Sequence, residues 1–275
     1  MNTKTKFLLS AASALCLLGA STTAANAAGF FLQEQSVSGL GSAYAGAGAM
    51  PRDASVLFYN PAGMTYLSGT NVNVGVHLLV PDSELTDTGS TYNGAPVGGG
   101  DGGNPYDPTP IPNAYISHQV TNDFWLGFGI SAPFGLANEY DNGWFGRYDS
   151  TESELTTLDF APSAAYKIND WISIGGSVIF QHATADLKST ATAVTTGTQT
   201  LKGDSTDVGW KAGVLLEPWE GTKIGVDYRS EITHELEGRF IIEGTGSPAA
   251  TANTKGYADL NLPDIASFSI AQDLN

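Results

Sequence analysis

The chain has 275 residues, and its 28 acidic side chains outnumber its 12 lysines and arginines to give a formal charge of −16 at pH 7. This balance argues against nucleic-acid binding, because phosphates are held by lysine and arginine. The only cysteine, Cys16, lies in an N-terminal stretch that we predict to be removed. We therefore predict no disulfide framework, no thiol catalysis, no metal site and no cofactor.

The first 27 residues have the pattern of a secretory signal peptide. Lys4 and Lys6 form a basic start, residues 7–20 form an apolar run, and Ala25-Asn26-Ala27 is a small-x-small cleavage site. The apolar run is shorter than the ~20 residues of a membrane-spanning helix. The sequence therefore predicts export and a mature chain that begins at Ala28.

Residues 28–69 are rich in small residues and contain the tripeptide Asn60-Pro61-Ala62. We expect a rigid turn at this tripeptide, because asparagine bonds its own backbone and proline fixes φ. An ordinary turn without a function is the alternative interpretation.

After residue 69 the chain alternates apolar and polar residues, which is typical of strands whose two faces differ. For example, Ile224, Val226, Tyr228 and Ile232 are predicted to face away from Lys223, Asp227, Arg229 and Glu231. Eight such segments occur, at residues 70–80, 111–120, 124–132, 155–168, 171–182, 208–216, 224–232 and 257–270. All eight have 9–14 residues, which is longer than the ~5–6 residues of typical soluble strands and fits the ~9–11 residues that tilted membrane strands need.

The connections also indicate an outer-membrane barrel, in which short turns on one side alternate with long loops on the other. Short turns are predicted at 121–123, 169–170 and 218–220, and long polar loops at 82–110, 134–154, 186–204 and 244–256. Trp125, Trp171, Trp210 and Tyr228 lie near strand ends, where barrels carry interfacial aromatic residues. A soluble β-sandwich would explain the alternation but not these two features.

An eight-stranded barrel has an interior only wide enough for its own side chains. Residues 28–69 would not fit inside it, so either they lie outside the barrel or the wall has more strands than this chain supplies. Because the sequence stops just beyond a strand, at Asp273-Leu274-Asn275, without a closing strand, we expect the 275 residues to be a C-terminally incomplete part of a larger barrel.

Several motifs along the mature chain resemble those of the FadL family of outer-membrane transporters for fatty acids and other hydrophobic compounds. They are Ala28-Gly29-Phe30, Ser38-Gly39-Leu40-Gly41-x-Ala43-Tyr44-x-Gly46, Asn60-Pro61-Ala62, Ser131-Ala132-Pro133-Phe134-Gly135-Leu136 with Glu139-Tyr140, Asp227-Tyr228-Arg229-Ser230, and Gly256-Tyr257-x-x-Leu260-Asn261-Leu262-Pro263. The resemblance implies an all-β, fourteen-stranded transmembrane barrel, of which about eight strands are present here. It also implies an N-terminal hatch at 28–69 inside the barrel that begins at residue 70.

Within this resemblance, Ala28, Gly29, Phe30, Asn60, Pro61 and Ala62 belong to the hatch. A proline cannot donate a hydrogen bond to a sheet, so Pro133 is expected to interrupt strand pairing or merely to end the strand. The resemblance favours the first interpretation and implies a kinked third strand with a lateral opening. Its residues are Ser131, Ala132, Pro133, Phe134 and Gly135.

Two further groups are candidates for ligand contact. One long loop is rich in aromatic and apolar residues, which we interpret as a ligand groove or, alternatively, as an anchor at the lipid interface. These residues are Phe134, Leu136, Tyr140, Trp144, Phe145 and Tyr148. Lys211 and Arg229 are predicted to face the lumen, where they would contact a carboxylate or pair with Asp207, Asp227 or Glu231.

We predict a monomer in the bacterial outer membrane that takes up long-chain fatty acids by passive, ligand-gated diffusion, with lateral exit through the kinked strand. Its partners are a fatty acid or other hydrophobic ligand and outer-membrane lipid. A channel for aromatic hydrocarbons is an alternative, and an outer-membrane lipase or an adhesin is an alternative of another class. An enzyme is not expected, because Gly-x-Ser-x-Gly is absent from the sequence and its four histidines have no evident partners.

Overall fold

The structure is a computed structural model that describes residues 30–191, 197–244 and 252–273. The predicted signal peptide, Ala28 and Gly29 lie outside the described residues. Within these three ranges, no helix is long and apolar enough to cross a membrane.

The N-terminal segment, residues 30–69, folds into short helical turns. They are the 3₁₀ helices Leu40–Ser42, Ala47–Ala49 and Pro61–Tyr66 and the single α-helix α1, Val56–Tyr59. Pro61 occupies the start of the last turn, where its missing N–H costs nothing. The side chain of Asn60 caps that turn, because its Oδ1 accepts a hydrogen bond from the N–H of Ala62 at 3.1 Å.

Most of the rest of the described chain consists of strands. They are β1 Thr70–Leu79, β2 Thr91–Tyr92, β3 Ala95–Pro96, β4 Thr109–Gln119, β5 Phe124–Ser131, β6 Gly135–Glu139, β7 Glu152–Asn169, β8 Ile172–Ala191, β9 Gly197–Trp219, β10 Thr222–Arg229, β11 Ile232–Gly244, β12 Ala252–Leu262 and β13 Ile265–Gln272.

These strands form one antiparallel sheet in the order β1-β4-β5-β7-β8-β9-β10-β13, and β2 and β3 form a separate small hairpin. Strand β6 continues β5 beside β7, β11 continues β10 beside β9, and β12 continues into β13. Counted in this way, the wall has eight strands within the described residues. The all-β prediction is confirmed, and each predicted segment coincides with a wall strand.

The two faces of the wall differ as the alternation predicts. The outer face exposes apolar side chains, such as Val74 at 75 % and Phe268 at 61 %. The inner face is covered by the N-terminal segment, whose Leu57 and Met64 form a buried cluster with Tyr115 of β4.

Three predictions about the wall are wrong in detail. The loop predicted at 186–204 is largely strand, since β8 extends to Ala191 and β9 begins at Gly197. Similarly, β12 begins at Ala252, inside the loop predicted at 244–256. Threonine-rich polar sequence continues as strand here because β-branched residues and cross-strand ion pairs, such as Lys202 with Asp186, favour pairing.

The second error concerns Trp125, which was predicted at the lipid interface. It points inward and is buried, and its indole N–H donates to the Leu67 carbonyl at 2.7 Å. A buried tryptophan needs such a partner.

The third error concerns Ile232, which is buried on the inner face, whereas Glu231 is exposed. Between the last pair of β10 with β9 and the first pair of β11 with β9, six residues of β9 (205–210) lie opposite seven residues (230–236). One extra residue in a strand moves the following side chains to the other face.

Candidate functional site

The wall is interrupted where β5 ends at Ser131 and β6 begins at Gly135. The pairing of β4 with β5 stops at Ala114 and Ile130, so residues 109–113 of β4 pair with β1 only. Strand β6 pairs with β7 only. We call the space between residues 109–113 and β6 the wall gap.

Prolines account for much of this gap. Pro110 and Pro112 lie in the part of β4 that has β1 as its single neighbour. Because proline carries no N–H, it is confined to strand edges, strand starts and bulges. Together with Pro133 in the interruption itself, these residues are a sequence signal for the gap that the alternating pattern alone does not reveal.

Gln35 of the N-terminal segment replaces a neighbouring strand at the interruption. Its side chain is fully buried, and its Nε2 donates to the carbonyl of Ala132 at 2.8 Å. The N–H of Ala132 donates to Gln35 Oε1 at 3.2 Å. The amide side chain thus satisfies both backbone groups of one wall residue, a role that sequence reasoning missed.

The first described residues complete this cap. The N–H of Leu32 donates to the Pro133 carbonyl at 2.8 Å, and the N–H of Gly135 donates to the Phe30 carbonyl at 3.1 Å. The start of the N-terminal segment therefore acts as a very short extra strand over the interruption.

Phe134 lies at the centre of the interruption and is buried on the inner side. Its ring centroid is 6.1 Å from that of Phe30 and 5.3 Å from that of Phe31. The guanidinium carbon of Arg229 lies 5.6 Å from the same ring. The N–H of Phe134 donates to Thr157 Oγ1 at 3.1 Å, and the Thr157 hydroxyl donates to the Phe134 carbonyl at 2.9 Å. Phe134 is therefore held by β7 as well as by the rings of the N-terminal segment.

The tripeptide Asn60-Pro61-Ala62 is bound to the middle of the wall. Asn60 is fully buried, and its Nδ2 donates to the carbonyls of Gly48 at 2.9 Å and Val214 at 3.0 Å. One side chain therefore links two parts of the N-terminal segment to β9.

Two glycines of the wall make room for this tripeptide. Gly175 and Gly213 are paired neighbours on β8 and β9. A Cβ at Gly213 would lie 2.1 Å from Asn60 Oδ1, and a Cβ at Gly175 would lie 2.4 Å from the Ala62 nitrogen. Only glycine permits contact this close.

A cavity of about 220 Å³ lies between the N-terminal segment and the wall. Its lining combines rings with charged groups and includes Phe31, Tyr44, Phe58, Tyr59, Lys211, Asp227 and Arg229.

The two predicted lumen cations do face this cavity, and they differ in how they are bonded. Lys211 donates to the carbonyls of Phe58 and Tyr59 and lies 3.6 Å from Asp227. Its charge is therefore compensated within the protein.

Arg229 pairs through Nη1 with Asp159 at 2.6 Å, an acid that we did not predict as its partner. Its Nε and Nη2 atoms are buried and have no hydrogen-bond partner among the described residues. Gln181 donates to the other oxygen of Asp159 at 2.6 Å, so the carboxylate is fixed. Within the described residues, Arg229 thus retains two unpaired donor nitrogens.

Tyr59 joins the cavity to the start of the N-terminal segment. Its hydroxyl donates to the Gln33 carbonyl at 2.9 Å. Burial, and secondarily the neighbouring Tyr44, raises the pKa of Tyr59 above its ordinary value. The phenol therefore stays protonated and keeps this hydrogen bond at physiological pH.

The predicted loop aromatics pack mainly against each other. Tyr140 and Trp144 stack with centroids 3.8 Å apart, and Tyr148 stacks on Tyr92 at 4.4 Å. Phe145 contacts Trp144 at 5.1 Å, while Leu136 is exposed on β6. These rings join the loop at 140–151 to the loop that contains β2 and β3, whereas Phe134 lies apart from them at the interruption.

A wall of long antiparallel strands that is apolar outside and holds a folded segment inside defines a β-barrel protein of the bacterial outer membrane. A family model described as "Outer membrane protein transport protein (OMPP1/FadL/TodX)" matches residues 18–275. The chain belongs to this family, and the resemblance inferred from its motifs is confirmed.

The chain is 29 % identical over 311 residues to the long-chain fatty acid transport protein of Escherichia coli O6:H1, covering 98 % of this chain and 67 % of that protein. It is 31 % identical to the 47 kDa outer membrane protein of Pasteurella multocida, covering 89 % and 58 %. The chain thus spans 58–67 % of the length of these relatives.

Solved structures confirm the fold. A Pseudomonas aeruginosa FadL homologue superposes with a TM-score of 0.74 at 21 % identity, covering 90 % of this chain and 67 % of that one. The Ralstonia pickettii toluene transporter TbuX gives a TM-score of 0.61 at 19 % identity, covering 82 % and 65 %.

Proposed function

We propose that this protein, as a monomer in the outer membrane, takes up long-chain fatty acids by passive, ligand-gated diffusion and releases them sideways into the surrounding lipid. The observation that carries this proposal is the wall gap and its cap from the N-terminal segment. A backbone break at membrane depth is tolerated only where it is covered by protein or lines a cavity. The N-terminal segment, which we propose to be the hatch, supplies that cover.

The ligand head would bind first in the cavity. Its rings suit an alkyl chain, and the two unused donors of Arg229 suit a carboxylate, since charge-assisted hydrogen bonds are the strong ones. Lys211 is the weaker candidate of the two because its ammonium group already binds two carbonyls and Asp227.

Gating follows from the position of Phe31. This residue lines the cavity and also packs on Phe134 at the interruption. A ligand that occupies the cavity would displace Phe31 and, with it, the neighbouring residues that cap the wall gap. The tripeptide at Asn60 would hold the rest of the segment in place.

A channel for aromatic hydrocarbons is the second candidate. The many rings around the cavity and the structural similarity to a toluene transporter favour it. The unused donors of Arg229 favour a carboxylate instead, because a hydrocarbon would leave them unpaired. The family consists of transport proteins, which is why we do not propose an enzyme or an adhesin.

A reversible crosslink tests the gate. Phe31 and Phe134 form an antiparallel bridge pair, and such pairs have Cα atoms ~4.5–5.5 Å apart, within disulfide range. The only native cysteine is Cys16, so Phe31→Cys combined with Phe134→Cys adds one defined pair. Oleate uptake would be measured in cells that lack their own fatty acid transporter.

We expect the oxidised double variant to take up oleate several-fold more slowly than the same variant after reduction. Each single variant controls for the loss of one ring and should not respond to the reductant. Equal uptake by the oxidised and reduced forms would refute gating at this position.

A further inference from the structure

Five uncharged polar side chains form a patch on the inner face of β1 and β4. We call it the polar patch, and its members are Asn73, His77, Asn113, Tyr115 and Ser117. All of them except Asn73 are buried. The pairing of β1 with β4 brings them together. Asn73 lies opposite Tyr115, and Asn113 lies opposite Gly75, which is two residues from both Asn73 and His77.

The polar atoms of this patch are unusual in lacking partners. Both side-chain atoms of Asn113 and the Nε2 of His77 are buried and have no hydrogen-bond partner among the described residues. The same holds for Asn73 Oδ1 and the hydroxyl of Ser117. Buried polar groups in proteins are almost always hydrogen-bonded, so this group of unpaired atoms is available to bond a polar ligand.

The patch lies at the edge of the wall gap. Asn113 is the last residue of the β4 stretch that lacks a neighbour on the gap side. Val37 of the N-terminal segment covers the patch. A Cβ placed on Gly75 of β1 would lie 2.7 Å from Val37 Cγ2 and 2.9 Å from Asn113 Oδ1, so Val37 and Asn113 both lie directly over this glycine. Movement of the segment away from the gap would therefore uncover the patch at the same time.

We propose that the polar patch receives the carboxyl or hydroxyl head of an amphiphile as it leaves through the wall gap, and so selects amphiphiles over plain hydrocarbons. This inference rests on the proposed function and adds a selective polar site at the exit from the barrel. The patch offers amide, hydroxyl and imidazole groups without a permanent charge, which bond a polar head but do not hold it as an ion pair would. A hydrocarbon leaves the same groups unpaired and gains nothing from them.

The test uses three ligands with the same twelve-carbon chain: dodecanoic acid, dodecan-1-ol and dodecane. Uptake of each is measured in cells that lack their own transporter and express the unaltered protein, Asn113→Leu, or Asn113→Ser. Asn71→Leu is the matched control, because Asn71 is on the same face of β1 but bonds to the Ser68 carbonyl away from the gap. Heat-dependent mobility on gels checks that each barrel is folded.

We expect Asn113→Leu to reduce uptake of the acid and the alcohol about tenfold, the effect of ~1.4 kcal/mol, and to leave dodecane uptake unchanged. Asn113→Ser retains a polar group and should recover part of the loss, while Asn71→Leu should match the unaltered protein. An equal decrease for all three ligands, or no decrease, would overturn the role of the patch while leaving transport intact. Absence of uptake by the unaltered protein would instead overturn the transport function and the patch with it.

Discussion

Replacing Asn60 by aspartate is the sharpest test of how the N-terminal segment is held. Aspartate has the same shape and keeps the oxygen that accepts from Ala62. It loses both donations from Nδ2, to Gly48 and to Val214. The structure therefore predicts that the segment detaches from a wall that is itself unchanged.

The magnitude follows from the two lost bonds. Val214 pairs in register with β8 and β10, so its carbonyl keeps a ladder partner and the loss is that of an ordinary hydrogen bond, ~0.5–1.5 kcal/mol. The buried Gly48 carbonyl loses its partner and costs ~1–3 kcal/mol. The sum, about 1.5–4.5 kcal/mol, is a minimum, because the buried carboxylate also loses its hydration beside two carbonyl oxygens. It shifts the equilibrium toward the detached segment by at least roughly ten-fold.

Hydrogen exchange of the purified protein in detergent measures this shift. Amides at residues 47–66 should exchange faster by that factor, whereas those of β7 and β8 should not change. Asn71→Asp is the control, because its side chain makes a single exposed bond to Ser68. Unchanged exchange at 47–66 in the Asn60 variant would refute the argument.

Two further predictions concern the cap and the loops. Gln35→Glu removes the donation to the Ala132 carbonyl. We therefore expect faster hydrogen exchange at residues 30–36 and no change at residues 47–66. Gln33→Glu is the control, because Gln33 is exposed, and an equal effect of both variants would contradict the role of Gln35. Trp144→Ala removes a buried ring and its stack on Tyr140, so limited proteolysis should cleave the loop at 140–151 faster while the barrel stays folded. Exposed Leu136→Ala should not increase cleavage, and a Trp144 variant as resistant as the unaltered protein would show that the stack does not hold the loop.

The wall was largely predictable from the sequence because its signal is repeated many times. Each strand has an apolar face toward lipid and a polar face toward the lumen, so the period of two persists even though each segment alone is weak. The pattern failed where this physical cause was absent. The polar ends of β8 and β9 lack this apolar face. Paired backbones and ion pairs hold them as strands, although their sequence resembles that of a loop.

The candidate site was less predictable because it depends on contacts between distant parts of the chain. Gln35 belongs to no motif, and only the fold places it beside Ala132. Arg229 was correctly predicted to face inward, but its partner Asp159 lies three strands away in the wall, and the curvature that joins them has no local sequence signal. The inward position of Ile232 depends on a single extra residue in one strand, which a regular period cannot reveal.

The glycines under the N-terminal segment have a mechanical consequence. At Gly175 and Gly225 the segment meets the wall through backbone atoms, with no flexible side chain between them. Backbone atoms in direct contact cannot adjust as a flexible side chain can, so a small displacement breaks the contact. We therefore expect the segment to be either fully seated or released, and under the proposed gating the ligand would set how often the wall gap opens rather than how far.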